Sequence, residues 1–385
     1  MIFILFIICI FWFKKVFKKD FSLLIFPLIV GFIIILFYRL ELLYINRLVY
    51  FSDAQYYYDL SLQDDFNFFS YVSFLKLINY LHFFNYPVEI NITNFLLFLI
   101  SCTTLLKIIQ FNYEKTSHTL KKRVVFLIMC NPFLIISLSR NLKDCFFLFL
   151  ITFFLYVFQN LKKKYIFQFF LCLIFSLILK QVRPWAIVFP YVLFLFNLLI
   201  TKHGFIKKTI IIFLLFAVFL FSRSYINPYL DYVSIWFETT KDGINEGEFN
   251  LSLSERLKGP LKILVSPGIP RLLFSEIYFK YSMGTVSLFL LIGLLINYVI
   301  LSNIQIKKIL KEFFQNFNLF LLFITPVLIY SFAYSGSVEF RIKATILIPL
   351  FFLIISSMDN YPSLLRKSNL PYLIFIIFVS TLFSL

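Results

Sequence analysis

The chain has 385 residues, of which 61% are hydrophobic and only 14% are charged, and its formal net charge is +17. Soluble domains carry roughly 25% charged residues, so this composition excludes a soluble globular protein, a disordered chain and a nucleic-acid-binding domain. A membrane-spanning helix needs about 20 apolar residues. The sequence therefore predicts an all-α, polytopic integral membrane protein of one domain, with about twelve transmembrane helices.

Apolar segments follow one another along the whole chain, and several are shorter than the roughly 20 residues of an average span. The first is the shortest and can be either a span or an interfacial helix, which would leave eleven spans. We predict helices over residues 1–13, 21–38, 93–110, 124–139, 145–159, 165–179, 184–200, 209–222, 284–301, 317–333, 344–357 and 369–385.

The loops between these segments alternate between short basic loops and loops that carry most of the acids. The basic loops hold about 19 of the 36 lysines and arginines. By the positive-inside rule they are cytoplasmic, which places both termini on the outer side of the membrane. The basic loops are residues 14–19, 112–123, 162–164, 201–208, 302–313 and 360–369.

Two outer loops are long, and loops of this length in a compact bundle are usually functional. The first covers residues 39–92, and its aromatic-rich sequence predicts helices that lie on the membrane surface. The second covers residues 223–283 and contains SLSERLKGPLKILV. In this segment Ser252 and Glu255 have the spacing of a capping box, which predicts the start of a short helix.

Several cations lie in short outer loops, where they oppose the positive-inside rule. Polar groups at the membrane boundary are costly and often mark a substrate path. The guanidinium group of arginine matches a phosphate through two parallel hydrogen bonds. We therefore predict an anion site for a lipid phosphate or pyrophosphate, with the binding residues Arg140, Lys143, Lys180, Arg183 and Arg341.

Two acids share these short loops and are candidates for the same site. Asp144 follows Lys143 directly, and Glu339 precedes Arg341 by two residues. We count both acids among the substrate-binding residues. The alternative is that each forms a local ion pair with a neighbouring cation, while the remaining cations extend to outer lipid headgroups.

The segment SDAQYYYDL in the first long loop contains a candidate catalytic acid. Asp53 lies just past a predicted span, and apolar surroundings can raise the proton affinity of such a carboxyl group toward a useful range. Tyr57 belongs to the three tyrosines that follow, and tyrosine rings suit the amphipathic faces of sugars. The alternative role for Asp53 is to cap the helix that begins there.

The sequence contains no pattern typical of a metal or nucleotide site. The five cysteines lie in or beside apolar segments, and the three histidines are isolated from one another. No CxxC pair, glycine-rich phosphate loop or GxSxG motif is present. We therefore expect no metal and no cofactor.

Two segments resemble bacterial polysaccharide polymerases. CNPFLIISLSRNLKDCFFLFL at 130–150 is similar to the NP-x(n)-S-x-R-x-x-KD stretch of Wzy-type O-antigen and capsule polymerases. SGSVEFRIKATILIPLFFLI at 335–354 resembles the late E-x-R…P segment of those proteins and of related GT-C-fold glycosyltransferases, with Glu339, Arg341 and Pro349 at the matching positions.

Two further segments extend this resemblance along the chain. KQVRPWAIVFPYVL, with Arg183 and Pro184, looks like another segment common in the family. SDAQYYYDL is similar to the first outer loop of the GT-C fold, although here it follows the second predicted span rather than the first.

The resemblance implies a multi-pass protein of the bacterial inner membrane. Such polymerases join repeat units carried on undecaprenyl pyrophosphate into O-antigen or capsular polysaccharide on the periplasmic side, within lipopolysaccharide and capsule synthesis. It further implies that Asp53 accepts the proton of the acceptor hydroxyl, and that Arg140, Lys143, Arg183 and Arg341 stabilise the departing pyrophosphate. A flippase and a chain-length regulator are the protein partners it suggests.

Other functions remain open at the level of sequence. One is a GT-C-type glycosyltransferase that adds a single sugar from a polyprenyl-phosphate donor. An O-antigen ligase is disfavoured because the second long loop has no matching histidine. A non-enzymatic flippase or transporter is the third, but transporters usually show internal repeats and interrupted spans. The chain has only nine glycines and no evident repeat.

Overall fold

The computed structural model describes residues 1–44, 52–62, 70–82, 86–111, 117–140, 143–161, 164–202, 253–265, 285–334, 340–358 and 369–382. Within these ranges the chain is helical and contains no β-strand, which confirms the predicted all-α class. The predicted helix over 209–222 and most of the second long loop lie outside the described residues.

We number the α-helices of the described ranges in chain order. Two 3₁₀ segments, Lys18–Leu24 and Pro184–Val188, and one π-helical segment, Val124–Met129, lie between them. The helices are α1 (Ile2–Phe17), α2 (Ile25–Tyr44), α3 (Ser52–Ser61), α4 (Tyr71–Tyr80), α5 (Tyr86–Gln110), α6 (His118–Arg123), α7 (Pro132–Ser139), α8 (Lys143–Asn160), α9 (Tyr165–Val182), α10 (Phe189–Lys202), α11 (Leu253–Val265), α12 (Thr285–Ser302), α13 (Ile306–Gln315), α14 (Phe317–Tyr334), α15 (Phe340–Ser357) and α16 (Leu370–Leu382).

Four helical stretches of the described chain are long and apolar enough to cross a membrane: Ile2–Tyr44, Tyr86–Gln110, Lys143–Asn160 and Tyr165–Val182. The number rises to six if two bent pairs each form one span. These pairs are α6 with α7, bent by 56°, and α12 with α13, bent by 97°. Shorter apolar helices follow in α10, α14, α15 and α16. Twelve spans, and the side of the membrane that each loop faces, stay predictions.

The first long helical stretch reverses direction at the charged 3₁₀ segment Lys18–Leu24. The amino group of Met1 lies 4.0 Å from Glu89 near the start of α5, and Gln110 at the end of α5 donates to the Val16 carbonyl over 3.4 Å. Thus α1 runs parallel to α5. Further along, Gly31 of α2 packs against a phenylalanine ring in the first half of α5. Consequently α2 returns antiparallel to α1.

One end of the bundle, the lysine end, holds the turn between α1 and α2 together with the start of α6. The Asp20 carboxylate accepts a hydrogen bond from Lys121 Nζ at 2.7 Å and another from His118 Nδ1. Lys121 Nζ also donates to the Phe17 carbonyl at 2.8 Å. Arg123 donates to the Met358 carbonyl at 3.5 Å, so α15 ends here as well.

The helix pair α6–α7 is interrupted halfway by an asparagine cap. Asn131 Oδ1 accepts from the Phe133 amide at 3.0 Å, while its Nδ2 donates to Asn297 Oδ1 of α12 at 2.8 Å. Pro132 occupies the first turn of α7, where its missing N–H costs nothing. A Cβ on Gly293 of α12 would lie 2.1 Å from the Phe133 nitrogen, so only glycine permits this approach.

Helices from both long loops are part of the bundle. In α4 the buried residues Tyr71, Leu75 and Ile78 are spaced for one helical face, and they pack with Tyr86 and Ile90 at the start of α5. From the second loop, α11 packs along α14. The predicted surface helix of the first loop therefore has a face that covers protein.

Candidate functional site

The opposite end of the bundle, which we call the arginine end, holds Arg140, Asp144 and Arg183. Two asparagines of α5 fix the corner between α7 and α8 at this end. Asn91 Nδ2 donates to the Ser139 carbonyl at 2.8 Å, and Asn94 Nδ2 donates to the Arg140 carbonyl at 2.5 Å. These bonds satisfy carbonyls at the end of α7 that have no partner within the helix.

The central feature of the arginine end is an ion pair between Asp144 and Arg183. Asp144 lies in the first turn of α8, and its Oδ1 accepts from a terminal nitrogen of Arg183. The two side chains are only 3% and 12% exposed. The partners lie 39 positions apart in sequence. The pair is therefore a tertiary contact rather than the local pair between neighbours that the sequence also allowed.

Arg183 is held in place by its own backbone. It adopts an extended conformation between α9 and the 3₁₀ segment Pro184–Val188. Its amide donates to the Leu179 carbonyl at 2.8 Å, and its carbonyl accepts from the Ala186 amide at 2.9 Å. Burial alone would lower the pKa of Arg183, but the charge and hydrogen bond of Asp144 raise it above its ordinary value. The guanidinium group therefore stays charged.

A narrow cleft adjoins this ion pair and holds about 10 Å³ of free space, room for about one water molecule. Its lining combines the charged pair with apolar side chains. Along α8 the lining runs from Asp144 to Ile151, a rise of roughly 10 Å. The cleft is lined by Asp144, Phe147, Leu148, Ile151, Arg183, Trp185, Leu322, Pro326, Tyr330, Ile342 and Thr345.

Aromatic side chains form one wall of this cleft beside the ion pair. The Trp185 indole donates to the Tyr330 hydroxyl at 3.3 Å, and the two rings lie edge to face at 6.2 Å. Phe147 packs edge to face against Trp185 at 5.6 Å. This wall places aromatic rings and a hydroxyl group next to the ion pair.

The predicted site residues Tyr57 and Lys143 meet beside the cleft. Lys143 Nζ lies 5.8 Å from the centre of the Tyr57 ring, in the range of a cation–π contact. Tyr57 packs edge to face on Tyr71 of α4 at 5.5 Å, and Phe74 of α4 stacks on Phe146 of α8 at 4.7 Å. Helices α3 and α4 therefore cover the start of α8, although neither Tyr57 nor Lys143 lines the cleft.

Arg140 belongs to the same end but to a different group of side chains. It is buried and lies in electrostatic range of Tyr38, as do Arg39 and Glu41 of α2. Glu41 accepts from the amide of Val286 at the start of α12. Our sequence reasoning placed Arg39 at a loop boundary and left Glu41 unassigned. The signal was present, since charges inside the apolar run FYRLELLY require buried partners.

The remaining predicted residues are not brought to the cleft. Lys180 is exposed near the end of α9 and does not line it. Asp53 lies in α3 and Arg341 lies in α15, but their side chains are outside the described residues. Glu339 is outside them altogether. Their assignment as catalytic or binding residues stays a prediction.

Within the described part of the chain no metal-ligand cluster indicates what the site binds, and no similar protein indicates its ancestry. Among the described residues no group of three or more His, Cys, Asp or Glu side chains could hold a metal ion. No family model, no curated protein and no solved structure matches this chain. We therefore infer the function from the geometry of the arginine end.

Proposed function

We propose that this protein polymerises repeat units linked to undecaprenyl pyrophosphate into O-antigen or capsular polysaccharide, at the periplasmic face of a bacterial inner membrane. The observation that carries the proposal is the cleft at the arginine end. The cleft is lined by the Asp144–Arg183 ion pair together with apolar side chains. The surrounding helical bundle contains several helices apolar enough to cross a membrane.

The mixed lining of the cleft suits a lipid that carries a phosphate. A guanidinium group at Arg183 can hold two phosphate oxygens at once. Phe147, Leu148 and Ile151 of α8 offer an apolar wall for an isoprenoid chain. A water-soluble nucleotide sugar would bring a polar base against this wall, and burying polar groups without partners is costly.

The transfer itself needs two kinds of group. The hydroxyl of the acceptor sugar attacks the anomeric carbon of the donor, the bond from that carbon to the pyrophosphate oxygen breaks, and the pyrophosphate leaves with the bonding electrons. Cations lower the barrier by stabilising the leaving charge, a role for Arg183 with Arg140 and Arg341. A carboxylate accepts the hydroxyl proton, and Asp53 remains our candidate for this step.

Sugar recognition would fall to the aromatic residues beside the ion pair. Trp185 and Tyr330 border the ion pair, and Tyr57 lies beside Lys143 over the start of α8. Sugar rings have an apolar face that packs on aromatic rings and hydroxyl groups that bond to polar side chains. The arginine end supplies both types of contact within one group of helices.

The decisive experiment replaces the cation of the cleft. In cells, Arg183→Gln should abolish long-chain polysaccharide and leave lipid capped with a single repeat unit, because the leaving pyrophosphate loses its charge partner. Polysaccharide gels would measure the ladder. Lys164→Gln removes an exposed cation at the other end of α9 and serves as the matched control. A normal ladder from Arg183→Gln in a protein that is present in the membrane would refute the assignment.

The broken helix pair favours a second candidate, a flippase for lipid-linked oligosaccharides. Transporters often bind substrates where a helix is interrupted inside the membrane. Here Asn131 caps such a break, and Gly293 allows α12 to approach it closely. Purified protein in vesicles distinguishes the two functions. Chain extension of lipid-linked repeat units supports the polymerase, whereas movement of the lipid across the bilayer without extension supports the flippase.

The proposed side of the membrane has its own test. A reporter fused after Lys208 should read as cytoplasmic, and one fused after Asn245 should read as periplasmic, because basic loops stay inside. The reversed pattern would place the arginine end in the cytoplasm. It would then exclude a periplasmic polymerase.

A further inference from the structure

The Asp144 carboxylate occupies the position on Arg183 that a phosphate would need. It accepts from a terminal nitrogen of the guanidinium group, and both side chains are almost enclosed. Carboxylates and phosphates present the same kind of anionic oxygen atoms to this planar donor. In the protein without ligand, Asp144 therefore already forms an ion pair with the guanidinium group that would bind a ligand.

We propose that Asp144 is a placeholder: the phosphate of an incoming polyprenyl phosphate or pyrophosphate displaces its carboxylate from Arg183. The residue positions the guanidinium group while the cleft is empty and gives it up when the ligand binds. This inference rests on the proposed function, since it takes a phosphate-bearing lipid as the ligand of the cleft.

Arg183 can change partners without a change in the fold. Its amide and carbonyl groups are both hydrogen-bonded, to Leu179 and Ala186. The side chain, by contrast, is a long stem with several rotatable bonds that ends in five N–H donors. Rotation of this stem redirects the guanidinium group, while the extended backbone between α9 and Pro184 stays in place.

Asp144 also has other stabilising neighbours once Arg183 turns away. It lies in the first turn of α8, where the partial positive charge of a helix start favours a carboxylate. Lys143 precedes it in the same turn, and the Tyr71 hydroxyl is in electrostatic range. The displaced carboxylate is therefore not left as an isolated charge, which is the usual cost of breaking a buried ion pair.

The cleft beside the pair is narrow. It adjoins both partners, with Trp185 and Tyr330 on its wall, and it holds about 10 Å³ of free space, room for about one water molecule. A ligand therefore has to move side chains of this lining as its phosphate takes the place of the carboxylate on Arg183.

Farnesyl pyrophosphate, a short polyprenyl pyrophosphate, is the probe for the test. The full-length protein is placed in nanodiscs, with Trp12 and Trp236 replaced by phenylalanine so that Trp185 reports binding by fluorescence. Asp144→Asn should bind the probe at least about tenfold more tightly, because no carboxylate competes for Arg183. Arg183→Gln should bind it at least about tenfold more weakly. Lys164→Gln, which removes an exposed cation at the other end of α9, should match the parent protein.

A double variant separates the exchange from a general disturbance of the cleft. If Asp144 acts only through Arg183, the Asp144→Asn/Arg183→Gln protein should bind the probe as weakly as Arg183→Gln alone. Asp144→Asn leaves a buried cation without its charge partner, so the melting temperature of this variant should be lower than that of the parent protein. The probe should raise the melting temperature of Asp144→Asn by more than it raises that of the parent protein. If Asp144→Asn binds the probe no more tightly than the parent protein does, the placeholder role of Asp144 is refuted.

The outcomes also separate this inference from the proposed function. If Asp144→Asn binds the probe more tightly but a strain lacking the protein makes a normal polysaccharide ladder, the anion exchange is supported and the polymerase function is refuted. If Arg183→Gln loses the ladder but Asp144→Asn binds no more tightly, the polymerase function is supported and the anion exchange is refuted. Absence of binding by both parent and Asp144→Asn would overturn both. Inorganic pyrophosphate, tested alongside, should bind more weakly than the probe because it lacks the apolar chain.

Discussion

The two ends of the bundle each contain a carboxylate paired with cations, but the pairs differ in their surroundings. At the lysine end, Asp20 joins Lys121 and His118 and so ties the turn after α1 to α6. At the arginine end, Asp144 pairs with Arg183 and both line a cleft. An ion pair alone therefore does not indicate function. The adjoining space distinguishes the pair that can exchange its partner from the pair that fastens helices together.

Loss of the carboxylate at the arginine end should have the largest effect on stability. Asp144→Ala leaves the Arg183 guanidinium buried without its partner, so the free energy of unfolding should fall by about 3–5 kcal/mol. Reversible denaturation in mixed detergent and SDS micelles would measure it. The double variant Asp144→Ala/Arg183→Gln should recover part of the loss. A loss below about 1 kcal/mol would show that this pair behaves like a surface pair.

The corresponding change at the lysine end should cost less. Asp20→Asn removes the charge that holds Lys121, whose side chain is 11% exposed, but leaves an oxygen atom that can still accept a hydrogen bond. We expect a loss of about 1.5–3 kcal/mol in the same assay. Lys19→Gln, an exposed neighbour, is the control and should be neutral. If Asp20→Asn also weakened binding of farnesyl pyrophosphate, the contrast between the two ends would not hold.

The smallest effect is expected at His118. Its side chain is 55% exposed, so the solvent screens its contact with Asp20. His118→Ala should lower the free energy of unfolding by only about 0.2–1 kcal/mol. A loss as large as that of Asp20→Asn would mean that the histidine, rather than Lys121, secures the turn.

Helix positions followed closely from the sequence because apolar runs and their charged ends are local signals. The predicted segment 317–333 is observed as Phe317–Tyr334, and 165–179 is observed as Tyr165–Val182. The predicted helix over 184–200 begins instead with a 3₁₀ segment after Pro184. The predicted helix over 124–139 is broken at Asn131. The side chain of Asn131 accepts from the amides of Phe133 and Leu134 and donates to Asn297 of α12, a contact that periodicity does not reveal.

The site was predictable in its residue types but not in its pairings. The sequence pointed to Arg183 and Asp144 as charges in short outer loops, and it allowed Asp144 to pair with a cation beside it in the chain. Their mutual contact depends on how α8 and α9 pack, which a single sequence does not specify. The buried charges Arg39 and Glu41 were missed because α2 continues to Tyr44, beyond the predicted end at 38.

The helix that leads to Arg183 has a consequence for any biochemical work on this protein. Of the four long apolar stretches α9 is the least enclosed by protein, with 33% of its residues buried, and Ile166, Phe167 and Phe170 are exposed on it. Lipid or detergent around the protein therefore contacts much of the surface of α9, the helix that leads to Arg183. Acyl chain length and detergent choice become variables of the assay, to be held constant whenever two variants are compared.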